Sequence, residues 1–168
     1  SRCDIRFGKR AMQIDVDRKE IRFADGSRLQ YNLLISTLPL NKMVEMAGLN
    51  IRPKPDPYTS VLVLNIGAAR GEQCPDEHWL YCPDARSGFH RVGFYSNVDG
   101  SFLPASRRES ADAVSIYVER AYAVGERPAD RQIDEYVAAA VEELQEWNFI
   151  GDVEVVDSTW IDVAYTWA

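Results

Sequence analysis

Residues 130–147 constrain the fold most, because their apolar side chains recur at the spacing of an amphipathic helix. The apolar positions are Ile133, Val137, Ala140, Val141, Leu144 and Trp147, and the acidic positions on the opposite side are Glu142, Glu143 and Glu146. Such a stripe must be buried against another layer, and we expect that layer to be a β-sheet. We predict that Asp130 caps this helix and that Gly151 ends it.

The first part of the chain alternates strand-like runs with turn residues, which is typical of a small antiparallel meander. The predicted elements are strands at residues 11–16, 21–23 and 31–35, a tight turn at Asp25-Gly26, and a short helix over residues 40–47 that stops at Gly48. The run 31–35 is apolar throughout and has the length of a buried strand. Pro39 ends the extended segment, because proline cannot donate to a strand ladder.

A proline-rich segment, RPKPDP at residues 52–57, is the one shift in composition, and we place a domain boundary there. The predicted domains are residues 1–51 and residues 52–168. In the second domain, residues 58–66 and 114–120 are predicted strands, and residues 153–167 are extended. The predicted fold class is therefore α+β: a mixed, largely antiparallel sheet packed by a long helix, plus a small β-meander.

Residues 77–83 and 89–95 are predicted to form a hairpin around the loop DARSG. If the two strands pair symmetrically, Tyr81 lies across from Arg91 and Trp79 from Gly93 on one face, since directly opposed residues share a side. The other face is mostly apolar, with the pairs Leu80 and Val92, Cys82 and His90, and His78 and Phe94. We expect both histidines to lie in the core.

The aromatic face of this hairpin suits a small anion. Glycine at position 93 is expected to leave open space beside the tips of Trp79 and Tyr81 and the charge of Arg91. Arginine matches a phosphate or carboxylate bidentately, and the tyrosine adds an O–H donor. The alternative is structural: Arg91 stacks on Tyr81 or pairs with an acidic residue, and the chain has 26 of those.

Composition excludes several classes of function. Nineteen basic residues against 26 acidic ones give a net charge of −7, so nucleic acid and anionic lipid are not expected partners. The apolar runs are too short to span a bilayer. Three cysteines are too few for a disulfide framework, which indicates a reducing, cytoplasmic compartment. Cys74, His78 and Cys82 lack a fourth ligand at zinc spacing, so no metal site is predicted.

Three segments resemble a family of flavoproteins. The run IDVDRKEIRFADGSRLQYNLLISTLPL resembles the segment that leads out of the FAD domain in flavin amine oxidases, protoporphyrinogen oxidases and UDP-galactopyranose mutases. HWLYCPDARSGFHRVGFYSN resembles the segment "hWlYfPe...FyRv..fSN" of eukaryotic-type UDP-galactopyranose mutases, and IDVAYTWA is similar to their "YxYP"-type segment. The resemblance implies that residues 1–51 belong to an FAD-binding domain and residues 52–168 to a substrate-binding domain.

The resemblance also implies roles for individual residues. Tyr81 and Arg91 would bind the diphosphate of a nucleotide sugar, and Tyr165 would be a second tyrosine at the phosphates. The cofactor-binding positions would be the backbone near Ala11 and the turn containing Thr37 and Pro39.

The implied activity is interconversion of UDP-galactopyranose and UDP-galactofuranose, in which reduced FAD does the chemistry, so no catalytic side chain is assigned. The alternatives are an FAD-dependent oxidase of the amine or protoporphyrinogen type and a non-catalytic binding or assembly module. The chain departs from the family in two ways: it has no G-x-G-x-x-G fingerprint, and it carries Cys82 and Asp84 where the family shows phenylalanine and glutamate. We therefore expect the chain alone to bind FAD weakly or not at all.

Overall fold

The computed structural model describes residues 3–51 and 56–166, and the chain divides into two compact units, Ser1–Pro55 and Asp56–Ala168. Residues 52–55 of the proline-rich segment and residue 167 of the predicted terminal strand lie outside the described residues. Each unit has its own sheet.

The first unit contains the predicted meander. Its elements are β1 (Ala11–Asp15), β2 (Glu20–Phe23), β3 (Arg28–Gln30) and the helix α1 (Leu40–Met46). The strands are antiparallel in the order β1-β2-β3. Gly26 has φ +79° in the turn between β2 and β3, a conformation that glycine adopts without strain. Gly48, with φ +62°, follows the end of α1 as predicted.

The prediction of a buried strand at residues 31–35 is wrong. Hydrogen bonding around the Asp25-Gly26 turn places β3 three residues earlier, and the chain then leaves the sheet after Tyr31 N–H donates to the Lys19 carbonyl at 2.9 Å. Leu33 and Ile35 are 80% and 83% exposed. An apolar run alone determines neither the register of a strand nor whether another element buries it. Both depend on the turn residues and on the neighbouring elements.

The second unit is an antiparallel sheet of five strands with one long helix. Its strands are β4 (Tyr58–Arg70), β5 (Trp79–Tyr81), β6 (Arg91–Phe94), β7 (Ala113–Ala123) and β8 (Ile150–Thr166). Their order in the sheet is β5-β6-β7-β4-β8. Its helices are the short α2 (Tyr95–Val98), two single 3-10 turns at Gly100–Phe102 and Ala105–Arg107, and α3 (Asp130–Glu146). The predicted α+β class is confirmed.

One face of the sheet in the second unit packs against α3 and forms the core. The sheet contributes alternate residues to this core, as period-two side-chain geometry requires. The buried members from the strands are Leu62, Leu64, Ile66, Ala68, Val92, Phe94, Val114, Ile116, Val118 and Ile150, and those from α3 are Ile133, Tyr136, Ala140 and Leu144. Among the described helices none is long and apolar enough to cross a membrane.

Both predicted ends of α3 need correction. The N-cap residue is Ala129, whose N–H donates to Gln132 Oε1 at 2.9 Å, and Asp130 is the first residue inside the helix. There its carboxylate faces the positive end of the helix dipole. The helix stops before Asn148, which takes the left-handed conformation with φ 55°, so Gly151 lies within β8 instead.

Glu143 is also not on the exposed side of α3, as its sequence position had indicated. It is 2% exposed, and its carboxylate accepts hydrogen bonds from the backbone N–H groups of Arg86 and Ser87, both at 2.8 Å. Burial acts to raise the pKa of Glu143, but these hydrogen bonds outweigh it and hold the pKa below its ordinary value. The helix therefore fixes the loop that joins β5 to β6.

Candidate functional site

The β5–β6 hairpin has the predicted register. Trp79 pairs with Gly93, Leu80 with Val92, and Tyr81 with Arg91. Tyr81 and Arg91 consequently project from the same side of the sheet, opposite the side that α3 covers. The strands themselves are shorter than predicted, because the ladder is regular only over residues 79–81 and 91–94.

The next strand in the sheet brings further polar groups to that side. β6 pairs with β7 so that Arg91 lies opposite Glu119 and Gly93 opposite Tyr117. Tyr165 lies near the end of β8, and its hydroxyl forms hydrogen bonds with both Arg91 and Glu119. We call this side of the sheet the tyrosine face, defined by Tyr81, Arg91, Tyr117, Glu119 and Tyr165.

Arg91, Glu119 and Tyr165 form a closed hydrogen-bonded triangle. Arg91 Nη2 donates to Glu119 Oε1 at 2.6 Å and to the Tyr165 hydroxyl at 2.7 Å, and that hydroxyl donates to Glu119 Oε2 at 3.0 Å. Glu119 is only 7% exposed. A carboxylate this buried requires a counter-charge, and Arg91 supplies it.

Arg91 keeps donors to spare. Its Nε is buried without a hydrogen-bond partner, and within residues 3–51 and 56–166 its Nη1 makes no hydrogen bond. Its guanidinium carbon lies 5.7 Å from the centre of the Tyr117 ring and 5.9 Å from that of Tyr165. Burial acts to lower the pKa of Arg91, but Glu119 outweighs it and raises that pKa, so the guanidinium is always charged.

The space above Gly93 is not open, contrary to the sequence-based expectation. A Cβ atom at this glycine would lie 2.0 Å from Cε1 of Tyr117 and 2.2 Å from its Cζ. The glycine therefore admits the ring of Tyr117 from β7 rather than a ligand. Since β7 is distant in sequence, the hairpin pattern gave no sign of this ring.

Aromatic rings continue along the tyrosine face from Tyr117. Its ring centre lies 4.7 Å from that of Tyr95, which in turn stacks on Phe102 at 5.2 Å. Burial, as the largest cause, raises the pKa of the phenols of Tyr95, Tyr117 and Tyr165, so all three keep their protons at neutral pH. Tyr81 differs: it is 67% exposed, and its hydroxyl makes no hydrogen bond to any described residue.

A cavity of about 430 Å³ opens on this face beside the triangle. It is lined by Val63, Asn65, Tyr95, Tyr117, Glu119, Thr159 and Ile161. These residues supply phenol, amide, hydroxyl and carboxylate groups over an apolar floor. Arg91 does not line the cavity, but it contacts two residues that do, Tyr117 and Glu119, and Glu119 neutralises its charge.

The two histidines are not in the core. β5 begins at Trp79 and β6 at Arg91, so both histidines lie just outside the paired strands, where alternation no longer fixes their sides. His78 is exposed. His90 is half-buried, and its Nε2 lies 3.7 Å from Glu119 Oε2, which joins it to the tyrosine face. Burial lowers the pKa of His90, Glu119 raises it, and Arg91 lowers it, with a net decrease.

Solved structures share this architecture. A crystal structure of a reduced UDP-galactopyranose mutase matches 97% of this chain and 36% of its own, with a TM-score of 0.66 and 20% identity. The chain shares its fold with part of a UDP-galactopyranose mutase. A protein from Pyrococcus furiosus matches with a TM-score of 0.56 at 14% identity, covering 90% of this chain and 36% of its own. An oxidoreductase from Methanosarcina mazei matches with a TM-score of 0.52 at 14% identity, covering 93% and 38%.

At these identities the likeness shows the fold alone, and the chain spans little more than a third of each of these structures. No protein-family model and no curated protein matches it. The fold suggested by the resemblance to UDP-galactopyranose mutases and their relatives is thus shown. The comparisons do not show the activity of this chain.

The residues that the mutase resemblance assigns to FAD all lie in the first unit. Ala11 is the first residue of β1 and is half-buried, Thr37 is exposed, and Pro39 directly precedes α1. None of them carries a charged group, so these three positions offer backbone atoms and one hydroxyl to a cofactor. Their cofactor role stays a prediction.

Glu119 and Tyr117 are the site residues that sequence reasoning missed. The signal was present, because residues 114–120 alternate and place Ser115, Tyr117 and Glu119 on the side opposite Val114, Ile116 and Val118. Sequence does not reveal that β7 is the neighbour of β6, and the pairing of Arg91 with Glu119 depends on that order. No group of three potential metal ligands comes together within the described part of the chain.

Proposed function

We propose that this chain is part of an FAD-dependent enzyme of the UDP-galactopyranose mutase type, and that its tyrosine face binds the diphosphate of a nucleotide sugar. The observation that carries the proposal is the convergence of Tyr81, Arg91 and Tyr165 on one side of the sheet. These are the residues to which the resemblance assigns phosphate binding.

The free donors support this role. Among the described residues the exposed hydroxyl of Tyr81 has no hydrogen-bond partner, and Arg91 Nη1 donates to none of them. Charge-assisted hydrogen bonds from arginine to phosphate oxygens are among the strongest that proteins make. Bound FAD supplies the nucleophilic, electron-rich centre of the reaction. The residues of this chain bind the diphosphate, orient the sugar and exclude water from it.

A second candidate is an FAD-dependent oxidase of the amine or protoporphyrinogen type. The pairing of Arg91 with Glu119 favours it, because Glu119 lines the cavity and neutralises the charge of Arg91. The residues that line the cavity are aromatic, neutral or acidic. Such a lining suits a flat or cationic substrate, which has no use for an anion-binding arginine.

Titration of UDP into the full-length protein separates the two candidates. Tyr81→Phe removes one exposed hydroxyl that makes no hydrogen bond to a described residue, so we expect folding to be unaffected. We expect UDP affinity to fall by about 0.5–1.5 kcal/mol, since one neutral hydrogen bond is lost. Arg91→Ala should cost about 1.5–3 kcal/mol, as expected for a hydrogen bond to a charged group.

Each variant has a matched control. Tyr122→Phe removes a phenol from the α3 side of the same sheet, and Arg131→Ala removes an exposed arginine from α3. Neither should change UDP affinity. If Tyr81→Phe and Arg91→Ala bind UDP as the unaltered protein does, the nucleotide-sugar function is wrong. Oxygen consumption with an amine or a porphyrinogen would then support the oxidase.

A further inference from the structure

His90 is a titratable side chain beside Glu119 of the tyrosine face, and the proposed function leaves it without a role. We propose that His90 takes over from Arg91 as the charge partner of Glu119 when a diphosphate binds, so that binding carries a proton into the site. This inference rests on the proposed function and adds a specificity-determining residue to it.

The geometry places His90 and Arg91 on either side of one carboxylate. Glu119 Oε1 accepts from Arg91 Nη2 at 2.6 Å, while Glu119 Oε2 faces His90 Nε2 at 3.7 Å. The backbone holds this arrangement, because the His90 N–H donates to the Glu119 carbonyl at 2.9 Å. A small movement of the imidazole would bring Nε2 into hydrogen-bond range of Oε2.

Diphosphate binding creates the need for a second partner. A diphosphate bound to Arg91 offsets the positive charge of the guanidinium, so Glu119 loses part of its counter-charge. A buried carboxylate without a counter-charge is strongly destabilising. Protonating His90 restores the balance, since an imidazolium within about 4 Å favours the charged carboxylate and is favoured by it.

The other groups around His90 do not compete for this role. The neighbouring charge from its own segment is the next residue, Arg91, and from β7 it is Glu119. Cys82, beside β5, donates its backbone N–H to the His90 carbonyl at 2.9 Å, and burial raises the pKa of its thiol, so it stays neutral. Tyr165 from β8 is likewise protonated. The charges of Arg120 and Glu143 are directed to the loop at residues 84–88.

The sign of the linkage follows from these charges. In the free site, burial and Arg91 together keep the pKa of His90 below its ordinary value, so the imidazole is neutral at pH 7. An added diphosphate cancels the repulsion from Arg91 and raises that pKa. Binding therefore takes up a proton, and affinity increases as the pH falls through the pKa of His90 in the complex.

This role is a property of this chain rather than of the resembling segment. The mutase pattern "FyRv" has tyrosine where this chain has His90, and a neutral phenol cannot carry the proton. His90→Tyr therefore restores the residue of the pattern, and His90→Gln keeps a polar group of similar size without the charge. The second histidine, the exposed His78, provides the matched control His78→Gln.

The test is isothermal titration calorimetry of the full-length protein with UDP-galactose. This probe lacks the terminal phosphate of UDP, whose own pKa of about 6 would obscure the result. Affinity is measured at about pH 5.5 and about pH 8, on either side of the ordinary histidine pKa of about 6.5. Protons taken up are counted at about pH 6.5 in two buffers of different ionisation enthalpy.

We expect proton uptake, and affinity roughly tenfold higher at the lower pH for each unit by which binding raises the pKa. His78→Gln should behave likewise, while His90→Gln and His90→Tyr should lose both effects and still bind. Unchanged pH dependence in both His90 variants, or no proton uptake in the unaltered protein, overturns the role of His90 and leaves the proposed function intact. Failure of UDP-galactose to bind at either pH overturns the proposed function itself.

Discussion

At the scale of single residues, Gly93 shows how one missing side chain organises the tyrosine face. The ring of Tyr117 occupies the position that a Cβ atom at Gly93 would need. We expect Gly93→Ala to lower the free energy of unfolding by about 1–3 kcal/mol, because an extra methyl group in a filled space forces the ring or the backbone to move. Urea denaturation measures this change.

Gly100→Ala is the matched control, since a Cβ atom there meets nothing within 4 Å. It should change the free energy of unfolding by less than about 0.5 kcal/mol. In a Tyr117→Ala background the cost of Gly93→Ala should largely disappear. A full cost in that background would contradict the close-contact explanation.

A second prediction at this scale concerns the contribution of Glu119 to stability, because its carboxylate is buried between charged and polar groups. Glu119→Gln should lower the free energy of unfolding by about 1–3 kcal/mol, since Arg91 loses a charge-assisted hydrogen bond and its counter-charge. Glu135→Gln removes the exposed partner of Arg131 on α3 and should cost less than about 0.5 kcal/mol. Equal costs for the two variants would show that burial of Glu119 is unimportant.

Residue-scale prediction from sequence succeeded where only local pairing mattered. Tyr81 and Arg91 were assigned to one side of the hairpin because strand side chains alternate with period two and the loop DARSG sets the register. The partner of Arg91 comes from β7 and the neighbouring phenol from β8. Those contacts depend on strand order, which alternation does not encode.

At the scale of elements, α3 stabilises the hairpin loop through Glu143. Glu143→Gln should lower the free energy of unfolding at neutral pH by about 1–3 kcal/mol, because two backbone N–H groups lose a charged acceptor. The pKa of Glu143 is depressed in the folded state, so its contribution is present above the unfolded pKa of about 4.3 and is lost as the pH falls through the lower folded value.

Denaturation as a function of pH measures this effect. The difference between the unaltered protein and Glu143→Gln should be constant near neutral pH and should shrink below about pH 4. Glu142→Gln, on the exposed side of the same helix, should show no such difference at any pH. If the difference in the free energy of unfolding between the unaltered protein and Glu143→Gln stays constant below about pH 4, the charge of the carboxylate does not contribute to stability.

The elements also show which sequence signals carry information. The helical spacing of residues 130–147 located α3 correctly, because that stripe faces a sheet that covers it. The helical period alone could not show that Glu143 is buried while Glu142 is exposed. Glu143 is buried because the loop between β5 and β6 donates two backbone N–H groups to its carboxylate. The end of α3 was misplaced because Asn148, rather than glycine, takes the left-handed position.

At the scale of the whole molecule, the chain has two units of unlike character. The α+β class was predictable, since strand-like runs with turn residues and one amphipathic helix allow few other arrangements. The second unit buries a continuous core between its sheet and α3. The first unit has three short strands and leaves large apolar side chains such as Phe7, Leu33 and Ile35 exposed.

This asymmetry predicts how the chain behaves toward a flavin. The sequence contains no G-x-G-x-x-G loop to hold a pyrophosphate, and the first unit offers only uncharged groups at Ala11, Thr37 and Pro39. We therefore expect the 168-residue chain, purified alone, to be colourless and to retain little FAD in equilibrium dialysis, whereas the full-length protein retains it. Riboflavin, which lacks the pyrophosphate, is the control ligand and should show no such difference between the two. Tight FAD binding by the chain alone would contradict the expectation that FAD binding requires a G-x-G-x-x-G loop, which this sequence does not contain.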